Sequence, residues 1–264
     1  DLAKINFDYA GKYESDSPFS SLMMSKDKVG FIEVLKAIDA AKTDDKIKGI
    51  YLRSGISSNG WSSLQELRIA LEEFKTSKKF IYSYGEVYDQ KSYYVSSVAD
   101  RIFLNPVGML EFIGLSATGT FFKGTLDKLD VQSEAFHCGK YKGAYEPFKL
   151  DKYSEPNRYQ LGVLLGDFYK EFLHAVAQKT GTDTSQLAAL ANEGKIRTAY
   201  DALHYKFIDQ LLFADSLENL LRSKLVLNKK DKINFVDIAD YTPEDKSFKV
   251  KDKIAVLYAN GEIH

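Results

Sequence analysis

Residues 139–148, GKYKGAYEPF, set Lys140 and Lys142 among Tyr141, Tyr145 and Phe148, with Glu146 and Pro147 close behind. A lysine acts as a base only when its amine is neutral, and with a free pKa of about 10.4 only about one in a thousand is neutral near pH 7.4. Desolvation disfavours the ammonium form. A drop of about three pKa units corresponds to roughly 4 kcal/mol of differential interaction, which the fold must supply. Tyr141, Ala144, Tyr145, Pro147 and Phe148 are the kind of wall that could supply it. A neutral lysine beside a serine hydroxyl is one variant of the nucleophile–base pair. The same residues also suit a surface lysine whose stem lies on aromatic rings while its ammonium stays in water, the commoner arrangement.

Other reactive constellations are missing from the sequence. There is no G-x-S-x-G elbow, no Walker loop and no G-x-G-x-x-G. His137, His174, His204 and His264 lack metal-ligand spacing, so no metal or other cofactor is expected. One S-x-x-K match, Ser25 to Lys28, lies in a polar run and is of the kind expected by chance in a lysine-rich chain. Cys138 is the single cysteine, so no intrachain disulfide can form. With 36 basic and 37 acidic residues, a net charge of −1 and a pI near 6.5, the chain has no electrostatic case for binding nucleic acid. No apolar run approaches the ~20 residues that span a bilayer.

The elements that must position Lys142 alternate. KINFDY, IKGIYL, KFIYSY and RIFLNP read as strands, and residues 115–122 and 131–136 continue the β-like theme. Between them, GFIEVLKAIDAAK spaces Ile32, Leu35, Ile38 and Ala41 as a helix does. SSLQELRIALEEFK places Leu64, Leu67, Leu71 and Phe74 on one face, and QKSYYVSSVA is a short helix. Such alternation predicts βα units and a mainly parallel sheet. From residue 155 the pattern turns helical. A long helix has Pro156 in its first turn and Gly181 at its end. A second is capped by Asp183 or Thr184, and more helix is expected over 198–206 and 215–226. Lys4, Ile5, Tyr9 and Ala10 recur in type and spacing at Lys253, Ile254, Tyr258 and Ala259, which suggests an internal repeat.

YGEVYDQKSYYVSSVADRIFLNPVGMLEFIGLSATGTFFKGTLDKLDV, followed by GKYKGAYEPF, resembles the N-terminal half of the long, tandem-repeat bacterial signal peptide peptidases, or protease IV family. DDKIKGIYLRSG and IAVLYANGEI match as well. The resemblance implies an α/β, ClpP/crotonase-like spiral of βα units with an appended helical segment. It divides the chain into a body over 1–154, a helical extension over 155–250, and the truncated start of a second repeat over 251–264. It implies a Ser-Lys dyad serine endopeptidase in which Lys142 is the general base. The nucleophilic serine belongs to a C-terminal half beyond His264. Gln90, in DQKSYYVSS, stands at that serine's position in this first copy. The resemblance further implies signal-peptide remnants as substrates and a homotetramer. It also implies an N-terminal membrane anchor upstream of Asp1, with the catalytic body on the extracytoplasmic side of the bacterial inner membrane.

Two residues depart from the family pattern: Lys140 stands where threonine is frequent, and Gly143 where serine is common. Gly55 and Gly60, in SGISSNGW, are expected to shape a turn, while the oxyanion donors come from the second half. Glu146 is expected to point away from Lys142, because a carboxylate contact would raise the lysine pKa. Two other readings compete. One is a catalytically silent structural or substrate-binding half; the other is a crotonase-type acyl-CoA enzyme using Glu86 and Glu111.

Overall fold

The structure, a computed structural model, describes residues 5–6, 29–228 and 231–241. The compared segments at 4–10 and 253–259 lie almost wholly outside these residues, as do Ser25, Lys28 and the 251–264 segment. Two short strands, β1 (Ile5–Asn6) and β2 (Val29–Gly30), pair in parallel and lead into helix α1 (Phe31–Thr43). Then βα units follow one another: β3 (Gly49–Ser54), α2 (Trp61–Lys75), β4 (Phe80–Tyr88), α3 (Gln90–Ser96) and β5 (Arg101–Leu110). After an excursion over 111–154 come α6 (Glu155–Thr180), α7 (Thr184–Asn192), α8 (Ala199–His204), β6 (Gln210–Leu211) and α9 (Ala214–Lys224). Helices α4 (Lys123–Lys128) and α5 (Glu146–Lys149) belong to the excursion.

Strands β3, β4, β5 and β6 form one sheet in that order, every pair parallel. This is the α/β class with a parallel sheet that the alternating pattern predicts. Parallel strands covered on both faces read as continuous apolar runs, and residues 81–85 of β4 are all buried. On one face Ile81, Tyr88, Ile102 and Leu104 meet α1, α2, α3 and the helices from α6 to α8. On the other, Tyr82, Tyr84 and Phe103 meet Leu217 and Leu221 of α9. Residues from both sides of position 155 thus fill a common core, and β6 adds a strand to the sheet.

The predicted face of α2 is buried as read, Leu64, Leu67, Leu71 and Phe74 all being at most 2% exposed. In α1 the buried face is turned by one residue: Phe31, Val34, Ile38 and Ala41 are buried, whereas Ile32 and Leu35 are only half-buried. Gly181 ends α6 at φ 71°, a left-handed conformation that glycine adopts without steric cost. Asp183 caps α7 by accepting the Ser185 N–H. The β-like readings at 115–122 and 131–136 are corrected: neither segment is a strand, because among the described residues no neighbouring strand lies there to pair with, and none of their own residues is buried. Arg68, buried in α2, donates to the Tyr94 carbonyl (2.9 Å), Ser97 Oγ (2.7 Å) and Gln178 Oε1 (3.1 Å), tying α2 to α3 and α6.

Candidate functional site

Lys142 sits in the excursion, an arm that leaves the end of β5 and returns through α6. Between Phe112 and Phe172 only one residue is buried, and it is Glu146. Among the described residues, the arm therefore has no apolar core. It is held by a few directed contacts instead. The Phe122 N–H donates to the Pro147 carbonyl (2.6 Å), and the Phe122 and Phe148 rings stack at 5.9 Å. Tyr145 stacks on His137 at 4.1 Å, and Phe121 meets Tyr153 edge-on at 5.1 Å.

Lys142 precedes a one-turn 3₁₀ helix, Gly143–Tyr145, that runs straight into α5. Its side chain is exposed. Among the described residues, the apolar wall expected around it does not close. Tyr145 and Phe148 are engaged by His137 and Phe122, and the Lys140 ammonium lies 5.1 Å over the Tyr141 ring. Tyr141 and Phe148 remain 46% and 48% exposed.

Glu146 turns away from Lys142 and toward the start of α6. Its carboxylate accepts from the Ser154 N–H (3.0 Å), Ser154 Oγ (2.5 Å) and Asn157 Nδ2 (2.9 Å). Burial works to raise its pKa, but the bonds from Ser154 and Asn157 outweigh burial and hold it below the ordinary carboxylate value. Ser154 is also the N-cap of α6, accepting from the Asn157 N–H. Ser154 and Asn157 were missed by sequence reasoning. The signal was available in SEPN, a serine followed by proline in the first helical turn.

Gln90 opens α3 directly after β4 and is buried, and among the described residues its Oε1 has no hydrogen-bond partner. The surrounding groups are tied to one another. Asp89 accepts from the Ser92 and Ser57 N–H groups, and Lys91 donates to the Asn59 carbonyl, so the 54–61 loop is clamped against the start of α3. Ser54 Oγ bonds Ser96 Oγ (2.6 Å) and Ser83 Oγ (3.2 Å), and Ser83 bonds the Tyr88 hydroxyl (3.0 Å). These serines have one another and Tyr88 as partners, and burial holds the Tyr88 hydroxyl well above its ordinary pKa. Ser54, Ser83 and Ser96 are thus structural: among the described residues, none of their side-chain partners can take up a proton at neutral pH. Glu86 is exposed at the β4 bulge, and Glu111 is half-buried just past β5. A cavity of about 290 Å³ opens at the opposite, N-terminal ends of the strands, lined by Lys75, Lys78, Lys79, Arg101 and Lys224, and Lys142 is not part of it.

The family model of peptidase family S49 matches residues 73–228. Protease 4 of Salmonella typhi is 32% identical over 243 residues, which is 88% of this chain and 39% of that protein. The chloroplastic serine protease SPPA of Arabidopsis thaliana is 28% identical over 230 residues, 84% of this chain and 33% of that protein. Protease 4 of Haemophilus influenzae is 28% identical over 249 residues, 89% of this chain and 40% of that protein. The chain thus spans between a third and two fifths of the length of these curated relatives.

Proposed function

This chain belongs to peptidase family S49, with the signal peptide peptidases and protease IV as its kin, and from that premise we propose that it supplies the general base, Lys142, of a Ser-Lys dyad endopeptidase. The nucleophilic serine is contributed by a C-terminal half. Neutral Lys142 takes the proton from the serine Oγ as that oxygen bonds to the substrate carbonyl carbon. The lysine ammonium then protonates the leaving amine as the C–N bond breaks. Water, deprotonated by the same lysine, hydrolyses the acyl-enzyme. Backbone N–H groups of the second half hold the oxyanion. The substrates are apolar signal-peptide remnants. The protein works as a homotetramer anchored upstream of Asp1, on the extracytoplasmic face of a bacterial inner membrane. No described helix is long and apolar enough to cross a membrane.

The observation that supports this reading best is where Lys142 sits. A base that must be desolvated lies on an arm whose apolar side chains, Phe122, Leu129, Phe136, Tyr141 and Phe148, are all at least 44% exposed. Another part of the assembly, closing over the arm, would remove water from the lysine and the rings together. Gln90 fits the same reading, because a carboxamide cannot attack a peptide bond.

The test is cleavage of an apolar, signal-like peptide by the full-length protein. Lys142→Ala is expected to lower turnover by about 10³-fold, with folding and assembly intact, while Lys140→Ala keeps most of it. Turnover retained by Lys142→Ala sinks the reading. A wild-type protein with no peptidase activity favours the silent, binding half.

A further inference from the structure

Gly143 follows Lys142 and faces the start of α6. A Cβ at position 143 would collide with Asn157 Nδ2 and lie 2.7 Å from Asn157 Cγ. The Asn157 carboxamide therefore fills the space of a side chain at 143. Its amide nitrogen also bonds Glu146 Oε2 at 2.9 Å. One side chain from α6 thus touches the segment carrying Lys142 on both sides of the 3₁₀ turn. Its other ties run to the far side of the arm, through the Phe122 N–H on the Pro147 carbonyl and the ring pairs Phe122–Phe148 and His137–Tyr145. Its one buried side chain is Glu146, and all three hydrogen bonds to that carboxylate come from Ser154 and Asn157. The Lys142 N–H itself reaches the Gly139 carbonyl only at 3.5 Å.

We infer that Asn157 is a positioning residue for Lys142: the contact of its carboxamide with Gly143 and its bond to Glu146 fix the turn from which the lysine projects. The inference rests on the role proposed above for Lys142. It makes Gly143 and Asn157 a matched pair. Glycine is required at 143 while asparagine occupies 157, and the requirement lapses when the carboxamide is removed. Glu146 needs its shape more than its charge. Glutamine can accept from the Ser154 N–H and Asn157 through its oxygen and donate to Ser154 Oγ, which rotates to accept.

The experiment compares Asn157→Ala, Gly143→Ala, the double variant, Glu146→Gln and Lys142→Ala in the full-length protein. It reads kcat and KM for an apolar peptide, and a thermal melt. Gly143→Ala is expected to lower kcat by about 10²-fold, the effect of displacing a reacting group by about 1 Å. Asn157→Ala is expected to lower kcat about tenfold with KM little changed. Adding Asn157→Ala to Gly143→Ala should restore kcat to the level of Asn157→Ala alone, and Glu146→Gln should stay near wild type. A kcat for Asn157→Ala equal to that of wild type overturns the inference, as does a double variant no better than Gly143→Ala. If Lys142→Ala is inactive in either case, the general-base reading stands without the inference. A fully active Lys142→Ala removes both.

Discussion

Helix α6 belongs to two regions at once. Its second half lies in the body, with Phe172, Leu173, Ala175 and Val176 all at most 6% exposed and Phe172 packed on Trp61 and Phe112. Its first half belongs to the arm, with Tyr159, Val163 and Leu164 at 68%, 48% and 50% exposed. The same helix, with similar apolar content, is held by burial at one end and by a cap and a carboxylate at the other. Burial is non-directional and scales with area. Hydrogen bonds are directional, and each contributes only about 1 kcal/mol net. The body thus has a shape set by many cooperating contacts, whereas the arm has one set by a few specific atoms.

The largest effect that would test this contrast is in the body. Phe172→Ala removes a fully buried ring and is expected to lower unfolding free energy by about 4 kcal/mol, read from a denaturant melt. Next comes Glu146. Glu146→Ala is expected to cost about 2 kcal/mol, confined to the arm. Hydrogen exchange at 139–157 should speed up while amides of β4 and β5 keep their protection. Acid should act in the same place. The folded pKa of Glu146 lies below the ordinary 4.5. The charge-dependent part of its stabilisation is therefore complete above that pH and is lost as pH falls through the lower folded value. Arm exchange that quickens no sooner than body exchange on acidification would break the contrast. The smallest effect is Tyr159→Ala, on the exposed half of α6, expected within about 0.5 kcal/mol of wild type in the isolated chain. A loss near that of Phe172→Ala would show that the arm has a core after all.

How much of this was legible in the sequence follows the same division. In the body, apolar spacing determines burial, so Leu64, Leu67, Leu71 and Phe74 could be read directly, as could the cap at Asp183 and the stop at Gly181. The one-residue rotation of α1 was not legible, because Ile32 and Phe31 are both large and apolar, and tertiary fit chose between them. In the arm, the residues at 115–122 and 131–136 have strand-like composition without a strand among the described residues to pair with, and composition alone cannot report a missing neighbour. The motif marks Lys142 as a candidate base, yet its exposure was not legible, since the aromatic rings beside it face His137 and Phe122. Glu146 was recognised as turning away from the lysine. Its partners Ser154 and Asn157 were not, because their bonds join residues across a turn rather than along a repeating pattern.

Strands β5 and β6 close a long connection: the Ile102 N–H donates to Asp209 Oδ2 across 107 residues, and Leu212 N–H reaches the Leu104 carbonyl beside it. The arm lies wholly inside that connection, with both ends of the loop fixed by the sheet. The entropy of closing a loop grows only with the logarithm of its length, so doubling it adds about 0.6 kcal/mol. Length in the arm is nearly neutral for the stability of the sheet. Insertions or deletions there can reshape what surrounds Lys142 while leaving the strand order untouched, which makes the arm the place where members of this fold can diverge most cheaply.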